Sequence, residues 1–289
     1  MKTTTEKAFA KINLYLDVTS TRPDGFHDIK SIMHAVTLAD DLTFTLREGS
    51  CGGHTLRVIG DESIPADSDN LVLRAVTAFE ARSPLGGSLD ITLEKHIPSA
   101  AGLAGGSSDA AATLRALNRL SGNKLSDHEL FEIASSLGSD VPFCLSENAA
   151  VCLGRGEKME SIPPLKNLYL VIVKPDESVS TPRAYRLLDE AYDLFRGERE
   201  DSGRKASFSS ILSGNTEHLF NIFEEVIFPI SPKAKMAKEM LVSLGASSAL
   251  MSGSGSSVFG IFTSRDEALS VEERIKKDFP FACYAKGKC

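Results

Sequence analysis

The sequence predicts an α+β protein built from two domains. The first half opens with several alternating strands that are followed by helices, which is the order of an α+β domain. The second half has roughly the order β-α-β-β-α-β, which is ferredoxin-like. Between them, Ser161-Ile162-Pro163-Pro164 comes just before an apolar strand at Leu168–Val173. We therefore expect one domain over residues 1–162 and another over 163–289.

Strands dominate the start of the chain. Apolar and polar residues alternate from Ala10 to Val18, which predicts a half-buried strand with Lys11 and Asn13 on the same side. Arg22-Pro23-Asp24-Gly25 predicts a turn. Further strands are predicted by the same alternation at Leu42–Leu46, Leu56–Val58 and Leu89–Leu93.

Helices follow these strands. Asp69 or Asn70 is a candidate cap for a helix that carries Leu71, Ala75 and Phe79. A helix rich in small residues is expected over Ala110–Leu120. Ser126-Asp127-His128-Glu129 is a capping box for another helix, which Gly138 ends.

The second half contains its own alternation of strands and helices. Helices are expected from Thr181-Pro182, over Glu217–Phe228, from Ser231-Pro232 to Gly245, and from Ser264 to Asp278. A polar, charge-mixed loop is expected over Gly197–Gly214. Short strands are predicted at Ala249–Met251, Val258–Phe262 and Ala282–Ala285.

Composition and charge narrow the class of protein. The 32 Lys+Arg and 39 Asp+Glu residues give a net charge of −7, which disfavours a nucleic-acid or anionic-membrane binder. No apolar signal segment follows the N-terminus, and the longest apolar run is far shorter than the roughly 18 residues of a membrane span. The 5 cysteines form no C-x-x-C pair, so we expect reduced thiols, with metal ligation or catalysis as the alternatives. These features predict a soluble cytoplasmic protein.

A glycine-rich segment at Pro98–Ala111 carries the strongest chemical signal. Its glycines and alanines let the backbone approach a ligand, two serines add hydroxyl donors, and a helix begins at once. The free N–H groups of a helix start attract phosphate. The segment lacks the lysine of a Walker A loop and the glycine spacing of a dinucleotide fold. A flexible linker is the alternative interpretation.

Three motifs in order resemble the GHMP small-molecule kinases. They are the strand containing Lys11, the segment Pro98–Ala111, and the small-residue turn Met251–Ser257. The resemblance implies an N-terminal ribosomal-protein-S5-like α/β domain, a C-terminal ferredoxin-like domain and an active site in the cleft between them. It also implies that the turn at 251–257 packs beside the phosphate loop. ATP would be the co-substrate and Mg²⁺ would accompany it.

A narrower resemblance comes from Ala8–Leu16, Arg22–His27 and Gly138–Phe143. These segments are similar to the branch of the family that phosphorylates the 2-hydroxyl of 4-(cytidine 5′-diphospho)-2-C-methyl-D-erythritol in the non-mevalonate isoprenoid pathway. In that branch the aromatic residue and histidine after Asp-Gly bind the cytosine ring. The resemblance thus implies that Phe26 and His27 bind the base, and a packed loop is the alternative.

The same resemblance assigns the remaining site residues. Asn13 and Tyr185 are further candidates for binding the substrate, Asn13 by hydrogen bonding and Tyr185 as a second aromatic against the base. Simple strand polarity is the alternative for Asn13, and helix packing is the alternative for Tyr185. The ATP-binding candidates are Asn70, Leu71, Lys95, Pro98, Ser99, Ala100, Ala101, Gly102, Leu103, Ala104, Gly105, Gly106, Ser107 and Ser108.

Asp140 is the implied general base and Lys11 its cationic partner. A nearby ammonium keeps a carboxylate ionised and offsets charge on the transferred phosphoryl group. The alternative is that Asp140 caps the turn containing Pro142 while Lys11 is a solvated strand residue. Asp109 is expected to cap the helix that follows the phosphate loop. No set of residues predicts a resident metal site.

Three competing functions remain. Another GHMP kinase, of the homoserine or mevalonate kinase type, is the nearest, but it gives no reason for Asp24-Gly25-Phe26-His27. An RNA-binding module is opposed by the net charge of −7. A regulatory relative without activity is opposed by the presence of both Lys11 and Asp140. We expect a monomer or a weak homodimer.

Overall fold

A computed structural model describes residues 1–49, 53–192 and 202–289. The strands are β1 (Lys2–Thr21), β2 (His27–Glu48), β3 (Thr55–Ile59), β4 (Gly87–Glu94), β5 (Ala149–Gly154), β6 (Lys158–Ile162), β7 (Tyr169–Lys174), β8 (Phe220–Asn221), β9 (Ser248–Met251), β10 (Val258–Phe262) and β11 (Phe281–Lys286). The helices are α1 (Leu71–Glu80), α2 (Gly105–Leu120), α3 (Asp127–Leu137), α4 (Val141–Ser146), α5 (Thr181–Ala191), α6 (Ser202–Leu212), α7 (Glu224–Ile227), α8 (Pro232–Ser243) and α9 (Arg265–Ile275).

The chain forms two compact units, each assembled from separate stretches. The first unit comprises Met1–Ala10, Ala39–Ser99 and Ala104–Glu147. The second comprises Lys11–Leu38, Ala100–Leu103 and Asn148–Cys289. The long strands β1 and β2 contribute residues to both units. The domain boundary expected between residues 162 and 163 stays a prediction.

The first unit contains a small sheet and a group of helices that pack on one another. β4 pairs antiparallel with the second half of β2, and β3 pairs parallel with β4. Alternation along these strands buries Phe44, Leu89 and Ile91, as the sequence pattern predicts. Helix α1 packs on α2 and α3, and its apolar stripe buries Val72 and Phe79.

The second unit contains a four-stranded antiparallel sheet in the order β11-β7-β10-β9. Numbered along the chain, this order is 4-1-3-2, and helices α8 and α9 pack against the sheet. The predicted ferredoxin-like arrangement is therefore confirmed. In the same unit β5 pairs with the first half of β2 and with β6, while β8 pairs parallel with β1 at Tyr15 and Leu16.

Several local predictions hold. Asn70 caps α1 by accepting a hydrogen bond from the Val72 N–H, Ser126 and Glu129 form the predicted capping box of α3, and Ser264 caps α9. Helix α2 begins five residues before the predicted Ala110, because the glycines and serines already have helical geometry.

Other local predictions are wrong. Residues 217–228 do not form the single helix that was predicted. They contain the short strand β8 and, after it, the one-turn helix α7. The loop expected over 197–214 contains helix α6 from Ser202 to Leu212, and its residues 197–201 lie outside the described part of the chain. Helix α9 ends at Ile275 rather than Asp278. Within the described ranges, every helix is too short or too polar to cross a lipid bilayer.

Candidate active site

The first half of the predicted phosphate loop packs against the glycine turn 252–257. Ser252 Oγ donates a hydrogen bond of 3.0 Å to the Gly102 carbonyl, and the Ser257 N–H donates one of 3.3 Å to the Ala101 carbonyl. Gly102 has φ +72°, and a Cβ there would lie 2.1 Å from the Ser252 carbonyl oxygen. Only glycine fits, because both the dihedral angle and the close approach exclude a side chain. Residues 100–103 and 252–257 both belong to the second unit, and within it the glycine turn packs on this part of the phosphate loop, as expected.

Lys11 lies beside that turn and is buried. Its backbone N–H donates to the Leu103 carbonyl at 3.1 Å, which joins β1 to the loop. Its Nζ donates to Asn13 Oδ1 at 2.7 Å, and a Cβ on Gly253 would be 3.3 Å from Nζ. Lys11 is only 4% exposed, so the alternative of a solvated strand residue is wrong.

The Asn13 amide links three parts of this network. Besides the Lys11 ammonium, its Oδ1 accepts the Gly253 N–H at 3.0 Å, and its Nδ2 donates to Ser31 Oγ at 2.8 Å. Ser31 Oγ in turn donates to the Tyr15 carbonyl at 2.7 Å. Asn13 is 1% exposed, so its first structural role is to hold Lys11 against the glycine turn. Whether it also contacts a substrate stays a prediction.

The second half of the loop forms the start of α2. Ala104 occupies the N-cap position with φ +59° and provides no side-chain hydrogen bond to the helix. The Ser108 hydroxyl donates back to the Phe9 carbonyl, while Gly106 is exposed. A helix start without a side-chain cap leaves backbone N–H groups and the positive dipole end available to an anion.

Behind this helix start lies a buried triad, Asp40, Lys95 and Asp109. Lys95 Nζ donates to Asp40 Oδ2 and, at 2.7 Å, to Asp109 Oδ2. Asp40 Oδ1 accepts the backbone N–H groups of His96 at 2.5 Å and Ile97 at 2.8 Å. All three side chains are almost fully enclosed. The ammonium also approaches the loop, because a Cβ on Gly105 would lie 3.4 Å from Lys95 Nζ.

Electrostatics make Asp109 the unusual member of the triad. Burial raises its pKa to about 7, the Lys95 ammonium opposes that rise, and the Asp40 carboxylate adds to it. Asp109 Oδ1 is buried and has no hydrogen-bond partner among the described residues. The prediction that Asp109 caps α2 is wrong: the carboxyl group lies a full turn inside the helix and pairs with Lys95.

Asn70 and Leu71 belong to the same unit as the helix start. Asn70 Oδ1 accepts the Val72 N–H at 2.9 Å and its Nδ2 donates to the Pro65 carbonyl at 2.7 Å, so the amide is engaged in capping α1. Leu71 lies against the loop, since a Cβ on Gly106 would be 3.6 Å from its Cδ1. Near the loop entrance, Ser99 Oγ donates to Asp61 Oδ2 at 2.6 Å.

Asp140 is the N-cap residue of α4 but makes no side-chain capping bond. Its half-buried carboxylate is therefore not explained by the alternative that it caps the turn at Pro142. Asp140 belongs to the first unit and Lys11 to the second, so their pairing stays a prediction.

The residues expected at the base lie together in the second unit. The turn before them is closed by Asp24, whose Oδ1 accepts the Phe26 N–H at 3.1 Å. Phe26 is 50% exposed, with the Arg155 guanidinium 4.9 Å from the centre of its ring. The rings of His27 and Tyr185 lie 4.6 Å apart at 32°, and Tyr185 meets the edge of Phe223. Tyr185 thus packs on His27, and its contact with a base stays a prediction.

Sequence reasoning missed three residues of these clusters. Asp40 holds Lys95, Arg155 covers Phe26, and Asp189 Oδ1 lies 2.7 Å from His27 Nε2. Asp189 carries a detectable signal, because it is four positions after Tyr185 on α5 and therefore on the same helix face. Asp40 and Arg155 carry none, since their partners are distant in sequence. In the described ranges no three His, Cys, Asp or Glu side chains form a group that could hold a metal ion.

Comparison with known proteins shows the family to which the chain belongs. Residues 70–148 match the family model "GHMP kinases N terminal domain", and residues 199–280 match "GHMP kinases C terminal". The 4-diphosphocytidyl-2-C-methyl-D-erythritol kinase of Exiguobacterium sibiricum is 42% identical over 88% of this chain and 87% of its own length. That of Gloeobacter violaceus is 39% identical over 94% of this chain and 89% of its own length.

Solved structures of GHMP kinases have the same fold as this chain. A crystal structure of 4-(cytidine 5′-diphospho)-2C-methyl-D-erythritol kinase superposes with a TM-score of 0.81 at 32% identity, covering 99% of this chain and 100% of the other. A homoserine kinase from Cytophaga hutchinsonii superposes with a TM-score of 0.69 at 20% identity, covering 98% of this chain and 94% of the other. At that identity, the second likeness concerns the fold alone.

Proposed function

Because the chain belongs to the GHMP kinases, and within them to the 4-diphosphocytidyl-2-C-methyl-D-erythritol kinases, we propose that it transfers the γ-phosphoryl group of ATP to an alcohol. The acceptor is the 2-hydroxyl of 4-(cytidine 5′-diphospho)-2-C-methyl-D-erythritol, in the non-mevalonate route to isoprenoids. The likeness to relatives of that name over about nine-tenths of the chain carries this proposal.

The loop and the start of α2 are proposed to hold the ATP phosphates. Uncapped N–H groups at Gly105 and Gly106 and the hydroxyl of Ser107 supply donors, and the helix dipole favours negative charge. Mg²⁺ is proposed to arrive with ATP as part of the co-substrate, where it would offset the charge of the phosphates.

Lys11 is proposed to stabilise the transferred phosphoryl group. Its ammonium is shielded from solvent and oriented by Asn13, which strengthens its electrostatic effect and lowers the cost of placing it. Asp140 is proposed to accept the proton of the attacking hydroxyl. The reaction then needs only positioning, charge stabilisation and one proton acceptor, as phosphoryl transfer generally does.

Leu71 and Asn70 are proposed to border the adenosine. Leu71 offers an apolar side chain next to Gly106. Lys95 is proposed to support the phosphate-binding start of α2 from behind, because its Nζ would lie 3.4 Å from a Cβ on Gly105. Phe26, His27 and Tyr185 are proposed to bind the cytosine ring, because an exposed aromatic face stacks well on a base.

A panel assay tests the function. ADP release is measured with 4-(cytidine 5′-diphospho)-2-C-methyl-D-erythritol, homoserine and mevalonate as acceptors. We expect turnover with the cytidyl substrate. Turnover with homoserine or mevalonate, and none with the cytidyl substrate, would overturn the proposal in favour of the other GHMP kinases.

A further inference from the structure

Asp189 makes a hydrogen bond that the proposed function does not yet use. It lies on α5, and its Oδ1 is 2.7 Å from Nε2 of His27. The same oxygen accepts the Thr21 hydroxyl at 3.4 Å. The His27 side chain is 8% exposed, whereas that of Asp189 is 41% exposed. The carboxylate therefore approaches an enclosed imidazole from the solvent side.

The imidazole is held on its face as well as at its edge. The Tyr185 ring stacks on His27 at 4.6 Å, one helical turn before Asp189 on α5. The helix itself is anchored, because Thr181 Oγ1 and Ser254 Oγ are 3.0 Å apart and Ala184 and Leu188 are buried. A ring fixed by stacking and by an edge hydrogen bond has one preferred orientation.

A carboxylate can only accept a hydrogen bond, so Asp189 requires the proton on Nε2. In a neutral imidazole the other nitrogen, Nδ1, then carries a lone pair and is an acceptor. Among the described residues, no group forms a hydrogen bond with His27 Nδ1. His27 is therefore prepared to accept a hydrogen bond from a ligand that has an N–H donor.

Pyrimidines differ at this point. Cytosine carries an amino donor at position 4, whereas uracil and thymine carry a carbonyl acceptor there. We propose that Asp189 is a positioning residue that fixes His27 in the Nε2–H form, so that Nδ1 accepts the 4-amino group and the site selects cytidyl over uridyl substrates. This inference rests on the proposed function, because it assumes that His27 meets the base.

The competing explanation is that Asp189 only forms a surface ion pair. Exposed pairs contribute little to stability and would leave substrate choice unchanged. An ion pair requires a charged imidazole with protons on both ring nitrogens, so Nδ1 would then be protonated in the wild-type spectrum. Both consequences can be measured separately.

The experiment compares wild type, Asp189→Ala and the control Glu190→Ala. Glu190 is exposed and adjacent on α5, so its loss tests for a general effect of charge on this helix. Acceptors are the cytidyl substrate and its uridine counterpart, 4-(uridine 5′-diphospho)-2-C-methyl-D-erythritol. Nitrogen-15 NMR of the ligand-free proteins reports which ring nitrogen of His27 carries the proton.

We expect Asp189→Ala to raise KM for the cytidyl substrate roughly tenfold, since one oriented hydrogen bond is lost. KM for ATP and kcat should stay within twofold, the preference over the uridyl substrate should fall, and the His27 spectrum should show both tautomers. Glu190→Ala should match wild type in every measurement.

The inference would be overturned if Asp189→Ala left both the preference for the cytidyl over the uridyl substrate and the His27 spectrum unchanged. Equal rises in KM for the cytidyl and the uridyl substrate would also overturn it. The proposed function is tested apart from this by the wild-type protein. If wild type does not phosphorylate the cytidyl substrate, the proposed function fails and the inference falls with it.

Discussion

Replacing Asp109 by asparagine removes a buried carboxyl group that resists ionisation. Burial raises its pKa from 3.8 to about 7, with the Asp40 carboxylate adding to the rise and Lys95 opposing it. An asparagine side chain has nearly the shape of the protonated carboxyl group and cannot ionise. Asp109→Asn therefore keeps the packing of the triad while removing its pH dependence.

The size and sign of the effect follow from proton linkage. Between pH 3.8 and about 7 the folded protein holds the Asp109 proton and the unfolded chain has released it. The stability gained this way is fully present below pH 3.8 and is lost as the pH rises through about 7. At about 1.4 kcal/mol for each pH unit, the loss between pH 5 and pH 8 amounts to roughly 2–3 kcal/mol.

Urea-induced unfolding from pH 5 to pH 8 measures this quantity. The free energy of unfolding of wild type minus that of Asp109→Asn should fall by roughly 2–3 kcal/mol across the range, because other titrating groups cancel in the difference. Asp278→Asn, which alters an exposed carboxylate, is the matched control and should show no such trend. Parallel curves for wild type and Asp109→Asn would refute the reasoning.

Three further changes test the site. Asp140→Asn should lower kcat by about 10²–10⁴-fold, the contribution of a general base, with the Kd for ATP from calorimetry unchanged; near-normal turnover contradicts the role. Phe26→Ala should raise KM for the cytidyl substrate about tenfold through lost base stacking and leave KM for ATP unchanged, so equal rises would count against it. Asn13→Ala should lower the free energy of unfolding by about 1–3 kcal/mol, since the Gly253 N–H loses its buried acceptor. An unchanged free energy of unfolding in urea titrations would exclude that network role.

Local signals predicted most of the elements that carry the site. Alternation identified the strand with Lys11 and Asn13, and the caps at Asn70 and Ser126 located the helices around the phosphate loop. These features depend on residues a few positions apart, so they are visible in the sequence. The grouping of Phe26 and His27 with Tyr185 came instead from the family resemblance.

Contacts between distant residues escaped prediction. Asp109 looked like a helix cap because acidic residues are common at helix starts, and its pairing with Lys95 depends on folding that brings Asp40 beside both. The polar composition of 202–212 concealed helix α6, because the pattern lacks a clear apolar stripe. Strand β5, over 149–154, was missed because its small residues alternate weakly.

The mutual packing of Gly102 and Gly253 has a consequence for mutational scanning. A Cβ on Gly253 would lie 2.9 Å from the Gly102 carbonyl oxygen, and one on Gly102 would clash with the Ser252 carbonyl. Both obstacles are main-chain atoms, so no substitution at a second site can remove them. A library of double variants should therefore contain no pair that restores a variant of either glycine. A screen scored by growth would rank these glycines with Asp140, but a parallel measurement of protein abundance would separate them, since only the glycine variants would be depleted as folded protein.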